Sequence, residues 1–132
     1  MQKVIYISGP YRNVDLTVMN FELGDELEWG ALVASAGHIP IMPLNMTVPI
    51  GGVLSDSEWI ERDCLLLRSL YIDKAELLVR PGWCNTWRDS KGVAKELSTA
   101  QEIGMKIFYG TQDKEVIQKY LIALYNNEEL EI

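Results

Sequence analysis

A chain of 132 residues fits one hydrophobic core, so residues 1–132 read as a single domain, and a net charge of −7 argues against a broad electrostatic grip on a nucleic-acid polymer or an anionic membrane. With 48% hydrophobic and 23% charged residues the chain can bury a core without staples; its two cysteines, Cys64 and Cys84, show no CxxC spacing, and the single histidine leaves no cluster for zinc. The opening Met1–Gly9 has no cleavage-site pattern, and no apolar run approaches the roughly 18 residues of a membrane span, so a reduced, metal-free, cytoplasmic protein is expected.

Lys3–Ser8, with the apolar run Val4-Ile5-Tyr6-Ile7, reads as a buried strand stopped by Gly9-Pro10. From Val14 to Ala36 the apolar residues Leu16, Met19, Leu23, Leu27, Ala31 and Ala34 recur at three and four, and Gly37 follows; this spacing predicts a long amphipathic helix. His38–Met42 is a short strand between Gly37 and Pro43. Leu44–Leu54, with Pro49 and Gly51-Gly52, lacks clean periodicity and reads as a loop over the site.

Ser55 and Glu58 match a capping box for a helix running to about Leu70. Ala75–Val79 is a third strand ended by Pro81-Gly82. The polar segment Cys84–Asp89 leads to Ser90, and a helix then runs to Gly104, followed by the strand Met105–Tyr109. Thr111 is placed to cap a last helix through about Asn126, ahead of the acidic tail Glu128–Ile132. The alternation of strands and helices implies an α/β fold, a doubly wound, mostly parallel sheet of four to five strands.

In such a sheet ligands bind beyond the carboxyl ends of the strands, so the turns after the first and third strands carry the candidates. Asp63 interrupts the apolar stripe of Ile60, Leu67 and Leu70, and Glu96 lies between Val93 and Ala100 at the edge of a buried face. A carboxylate turned towards a core loses hydration and becomes a candidate for a shifted pKa; one that bends out to water is an ordinary helix residue. The turn Gly9-Pro10-Tyr11-Arg12 could meet an anion or simply end the strand. Ser90 could cap its helix or, with Lys91 and the helix dipole, hold a phosphate. Trp59, Trp83 and Trp87 fit either a stacked base or the packing of a flap or interface, and His38 fits a structural role.

The segments Y-I-S-G-P-Y-R at 6–12, the helix Asp63 ahead of a strand and P-G-W, and D-S-K-G-V-A-K-E-L-S-T-A at 89–100 together resemble the nucleoside 2-deoxyribosyltransferase superfamily. Within it the last segment is most similar to the 2'-deoxynucleoside 5'-monophosphate N-glycosidases, and small bacterial and phage proteins of the superfamily share the pattern. The resemblance runs from the first strand through the fourth and implies a Rossmann/flavodoxin-like fold. It implies Glu96 as the nucleophile at the anomeric carbon, Asp63 as the acid that assists the departing base, and Tyr6 as the group that orients the nucleophile. Ser8 and Gly9 would line the sugar-phosphate pocket through their backbone. Arg12 and Ser90 would hold phosphate, with Gly92 what remains of a glycine-rich turn.

The transferases carry an aspartate where this chain has Ser90, which favours a phosphorylated substrate. The chain departs from the pattern at Lys95, before the glutamate, and in Leu44–Gly52 and Asn85–Arg88, which have no counterpart. The implied chemistry is a retaining glycosidase reaction through a glycosyl-enzyme ester, needing no cofactor, on a small-molecule nucleotide or nucleoside. Exchange of deoxyribose between bases and a non-catalytic nucleotide-binding module remain alternatives. Members of the superfamily are commonly homo-oligomers, and Leu65, Leu66, Leu67 and Leu70 offer apolar surface either to a dimer partner or to the core.

Overall fold

In the computed structural model, which describes residues 1–83, 86–128 and 130, the short apolar runs form one parallel sheet. Its strands are β1 (Val4–Ser8), β2 (Ile39–Ile41), β3 (Ala75–Val79) and β4 (Lys106–Tyr109), in the order β2-β1-β3-β4. The register pairs Ser8 with Val79, so the carboxyl ends of β1 and β3 stand side by side. Among the described residues the sheet is therefore four-stranded and wholly parallel, at the lower end of the expected strand number.

Alternation along the strands sorts their side chains onto two faces. Ile5, Ile7, Leu78 and Phe108 pack against Trp29 and Val33 of α1 (Leu16–Ser35) and against Ile117 and Leu121 of α5 (Lys114–Tyr125). Tyr6, Leu77 and Val79 pack on the opposite face, against Leu67 of α3 (Asp56–Ser69) and Val93 and Ala100 of α4 (Lys91–Ile103). Helices thus cover both faces in a doubly wound α/β fold. Each fully buried Leu, Ile or Val contributes about 1.5–3 kcal/mol. No helix among the described residues is long and apolar enough to cross a membrane.

The helix ends follow from local chemistry. Ser55 and Glu58 close the expected capping box at α3. Ser90 accepts the amide of Val93 to start α4, and Gly104 ends that helix at φ 77°, a left-handed cap that glycine adopts without strain. The last helix is capped by Asp113 and not by Thr111, because the Asp113 carboxylate accepts the amide of Glu115 while the Thr111 hydroxyl donates to the Asp113 carbonyl.

Two further expectations change. The stretch Leu44–Leu54 is mostly helical: Pro43–Thr47 form a short helix, α2, and 3-10 turns follow over Val48–Val53 with a kink at Ile50. Pro43 sits at the first position of α2, where its missing N–H costs nothing. Helix α1 buries Glu22, Glu26, Trp29, Gly30 and Val33 in place of the apolar stripe, leaving Leu16 73% and Leu27 50% exposed. The buried face lies roughly a quarter turn away from the stripe, and its two glutamates are fully hydrogen-bonded below. Of the α3 leucines, Leu67 is core, Leu66 and Leu70 pack against it, and Leu65 faces solvent. Cys84, Asn85, Glu129, Glu131 and Ile132 lie outside the described residues, and with them part of the segment before Ser90 and of the acidic tail.

Candidate active site

Glu96 is the centre of the arrangement. It lies on the face of α4 that carries Val93 and Ala100, three before and four after it, and is buried against the sheet. Tyr6 and Ser8, two residues apart on β1, project from the same face of the sheet towards it. The Tyr6 hydroxyl donates to Oε2 of Glu96, and the Ser8 hydroxyl donates to Oε1 at 3.0 Å. Both carboxylate oxygens are thereby fixed from below.

Burial raises the Glu96 pKa to about 8; the Asp63 charge adds to the rise, and the Tyr6 and Ser8 hydrogen bonds oppose it. Burial and the neighbouring Glu96 charge hold the Tyr6 phenol well above its ordinary range, so it remains a donor. On α3, half-buried Asp63 is raised to about 6, first by burial and then by the charge of Glu26. The two acids are both raised, and their values lie apart.

These groups open into a cavity of about 370 Å³, within the range of small-molecule sites. The turn after β1 supplies Gly9, Tyr11 and Arg12, and α2 with its 3-10 extension supplies Leu44, Thr47, Val48 and Gly51. Helix α3 contributes Asp56, Trp59, Ile60 and Asp63. The entry to α4 contributes Asp89, Ser90, Lys91 and Gly92, with Glu96 behind them. The cavity sits where the connection from β1 leads to one side of the sheet and that from β3 to the other, the switch in strand order at which α/β sheets bind ligands. The stretch Leu44–Leu54 does lie over the site, as a short helical flap.

Gly9, Arg12, Asp63, Ser90, Gly92 and Glu96 thus come together in one cavity. Tyr6 and Ser8 do not line it; they stand behind Glu96, and Ser8 acts through its hydroxyl where a backbone contact was expected. Ser90 lines the cavity and is also the cap of α4, accepting the Val93 amide at 3.2 Å. Arg12 is not a lone cation: its guanidinium pairs with Asp56 at 2.7 Å. A Cβ on Gly92 would meet Ile60 at an ordinary 3.7 Å, so protein packing does not require glycine there.

Of the tryptophans, Trp59 lines the cavity and donates its indole N–H to the Gly51 carbonyl at 3.0 Å, pinning the flap. Trp83 instead stacks on Phe21 at 4.9 Å, and Trp87 leans on Tyr109. His38 is structural: Nδ1 accepts the Lys3 amide and Nε2 meets the Leu121 carbonyl.

Two buried networks that frame the cavity have no counterpart among the expectations. Glu26 accepts the amides of Leu44 and Asn45 and the Asn45 side-chain amide, the last two at 3.0 Å, and so fastens the start of α2 to α1. Arg80, fully buried just past β3, donates to Glu22 at 2.8 Å, to Asp25 at 3.1 Å and to the Pro10 carbonyl at 2.6 Å. It ties the turn after β1 to the turn after β3. A Cβ on Gly9 would come within 2.3 Å of Arg80 Nε, so Gly9 is where backbone and guanidinium meet. The signal for both networks was the spacing of Glu22, Glu26, Trp29 and Val33 along one helical face.

Comparison of the chain with protein-family models and with curated proteins finds no match.

Proposed function

We propose that the protein hydrolyses the N-glycosidic bond of a 2'-deoxynucleoside 5'-monophosphate, with Glu96 as nucleophile. The observation that carries this reading is a buried glutamate whose two oxygens are held by Tyr6 and Ser8, in the same cavity as a second carboxyl group, Asp63, of different proton affinity.

Ionised Glu96 attacks the anomeric carbon, and the bond from that carbon to the base nitrogen breaks. The electron pair leaves with the base, which takes the proton from Asp63. Water then hydrolyses the sugar ester, its proton returning to Asp63 and its hydroxide to the anomeric carbon, which frees Glu96. The pair needs one proton between its members. With values near 6 and near 8 it holds one proton across the neutral range; that proton rests mostly on Glu96, and the competent arrangement is the minor one, with the proton on Asp63 and Glu96 ionised.

Trp59 offers a ring held by the flap, suited to stack a base. At the other end Lys91 and the first turn of α4, joined by Arg12 once a phosphate displaces Asp56 from it, offer the donors that a phosphate seeks; the first amides of a helix lack partners within it. The test is base release from a panel of deoxynucleoside monophosphates and nucleosides, followed by chromatography. Release from at least one monophosphate is expected, and no turnover of any overturns the reading. Adding a second free base separates hydrolysis from exchange, because a transferase would form the nucleotide of the added base.

A further inference from the structure

Arg12 and Asp56 face each other across the cavity mouth, one in the turn after β1 and the other at the first residue of α3. Their 2.7 Å ion pair is open to solvent, with the side chains 53% and 60% exposed. The Arg12 guanidinium also lies over the Tyr11 ring at 5.0 Å, which keeps it at the mouth. The lining carries two cations, Arg12 and Lys91, against four acids, Asp56, Asp63, Asp89 and Glu96. An arriving phosphate therefore meets a cation already neutralised by a carboxylate.

We infer that Asp56 determines how strongly the site discriminates between phosphorylated and unphosphorylated ligands, by occupying Arg12 until a phosphate displaces it. This rests on the proposed nucleotide reading and names the residue that sets its preference at the phosphate end. A phosphate is a suitable displacer. It offers more charge and more acceptor oxygens than the carboxylate, and a guanidinium donates to it in bidentate fashion. Asp56 is also easily displaced, because an exposed ion pair is held weakly and neither partner loses its hydration when it opens. Displacing Asp56 takes away part of what a phosphate gains from Arg12, whereas a ligand lacking phosphate leaves the pair closed and is unaffected by it.

The test uses 2-deoxyribose 5-phosphate and 2-deoxyribose as probes, because neither contains the bond to be cleaved and binding is then read without turnover. Titration calorimetry on the full chain compares wild type, Asp56→Asn, and Asp56→Asn combined with Arg12→Gln. Asp56→Asn is expected to raise the affinity ratio of the phosphorylated to the unphosphorylated sugar about two- to fivefold, the range set by an exposed pair. Adding Arg12→Gln is expected to abolish that gain. An unchanged ratio in Asp56→Asn overturns the inference, as does a gain that survives loss of Arg12, or phosphate-independent binding in every variant. A protein that shows the expected shift yet releases no base from any nucleotide supports the role of Asp56 and overturns the hydrolase reading alone.

Discussion

Tyr6 on β1 donates its hydroxyl to Oε2 of Glu96 on α4, a contact between residues ninety apart in the chain. Because the phenol lies behind the carboxylate and not in the cavity, it holds Glu96 from the sheet side and leaves the other side open to the cavity.

Tyr6→Phe removes a hydrogen bond that favours the ionised glutamate, so the Glu96 pKa rises further. A hydrogen bond to a charged group is worth about 1.5–3 kcal/mol, so kcat/KM at pH 7 is expected to fall about ten- to a hundredfold. The alkaline limb of the pH–rate profile should move upward. A reduced rate with an unmoved limb would show that Tyr6 acts only on packing.

Glu96 is costly to the fold. Its pKa is raised from 4.5 to about 8, so the folded state binds the proton more tightly than the unfolded one. The stability this gives is complete below pH 4.5 and is lost as the pH rises through about 8. Wild type should therefore weaken across that window, by up to about 4 kcal/mol at pH 8 from this group alone. Glu96→Gln has no proton to lose, so its denaturation midpoint should exceed that of wild type at pH 8 by more than at pH 5. Equal differences at both pH values would contradict the raised value.

Glu26 tests the flap. In Glu26→Gln the new amide group faces donors at Leu44 and Asn45, with an expected loss of about 2 kcal/mol in chemical denaturation. The Glu26 charge raises both Asp63 and Glu96, so both limbs of the pH–rate profile should move to lower pH. Faster amide exchange at Leu44 and Asn45 is the structural readout.

Arg80→Met leaves Glu22 buried without its cation, which should cost about 3–5 kcal/mol. Gly9→Ala forces a Cβ against the same guanidinium and should destabilise in the same assay. A neutral outcome for both would show that the two turns are not held through Arg80.

The strands and the α3 and α4 caps were legible because each depends on neighbours in the chain: Gly9-Pro10 after β1, Ser55 with Glu58, and Ser90 with Gly104. Asp63 and Glu96 were legible as acids out of place in apolar stripes. The buried face of α1 was not, because Leu16, Leu27, Ala31 and Ala34 form the stronger apolar pattern while Glu22 and Glu26 find their partners on other elements, at Arg80 and Asn45. The Arg12–Asp56 pair was hidden for the same reason, joining two elements that local pattern does not relate.

The most direct measurement of the central claim is base release by wild type and Glu96→Gln under identical conditions at pH 7. Glu96→Gln is predicted to be folded and yet slower by about a thousandfold or more. A Glu96→Gln protein that releases base within about tenfold of the wild-type rate would contradict the assignment of Glu96 as nucleophile.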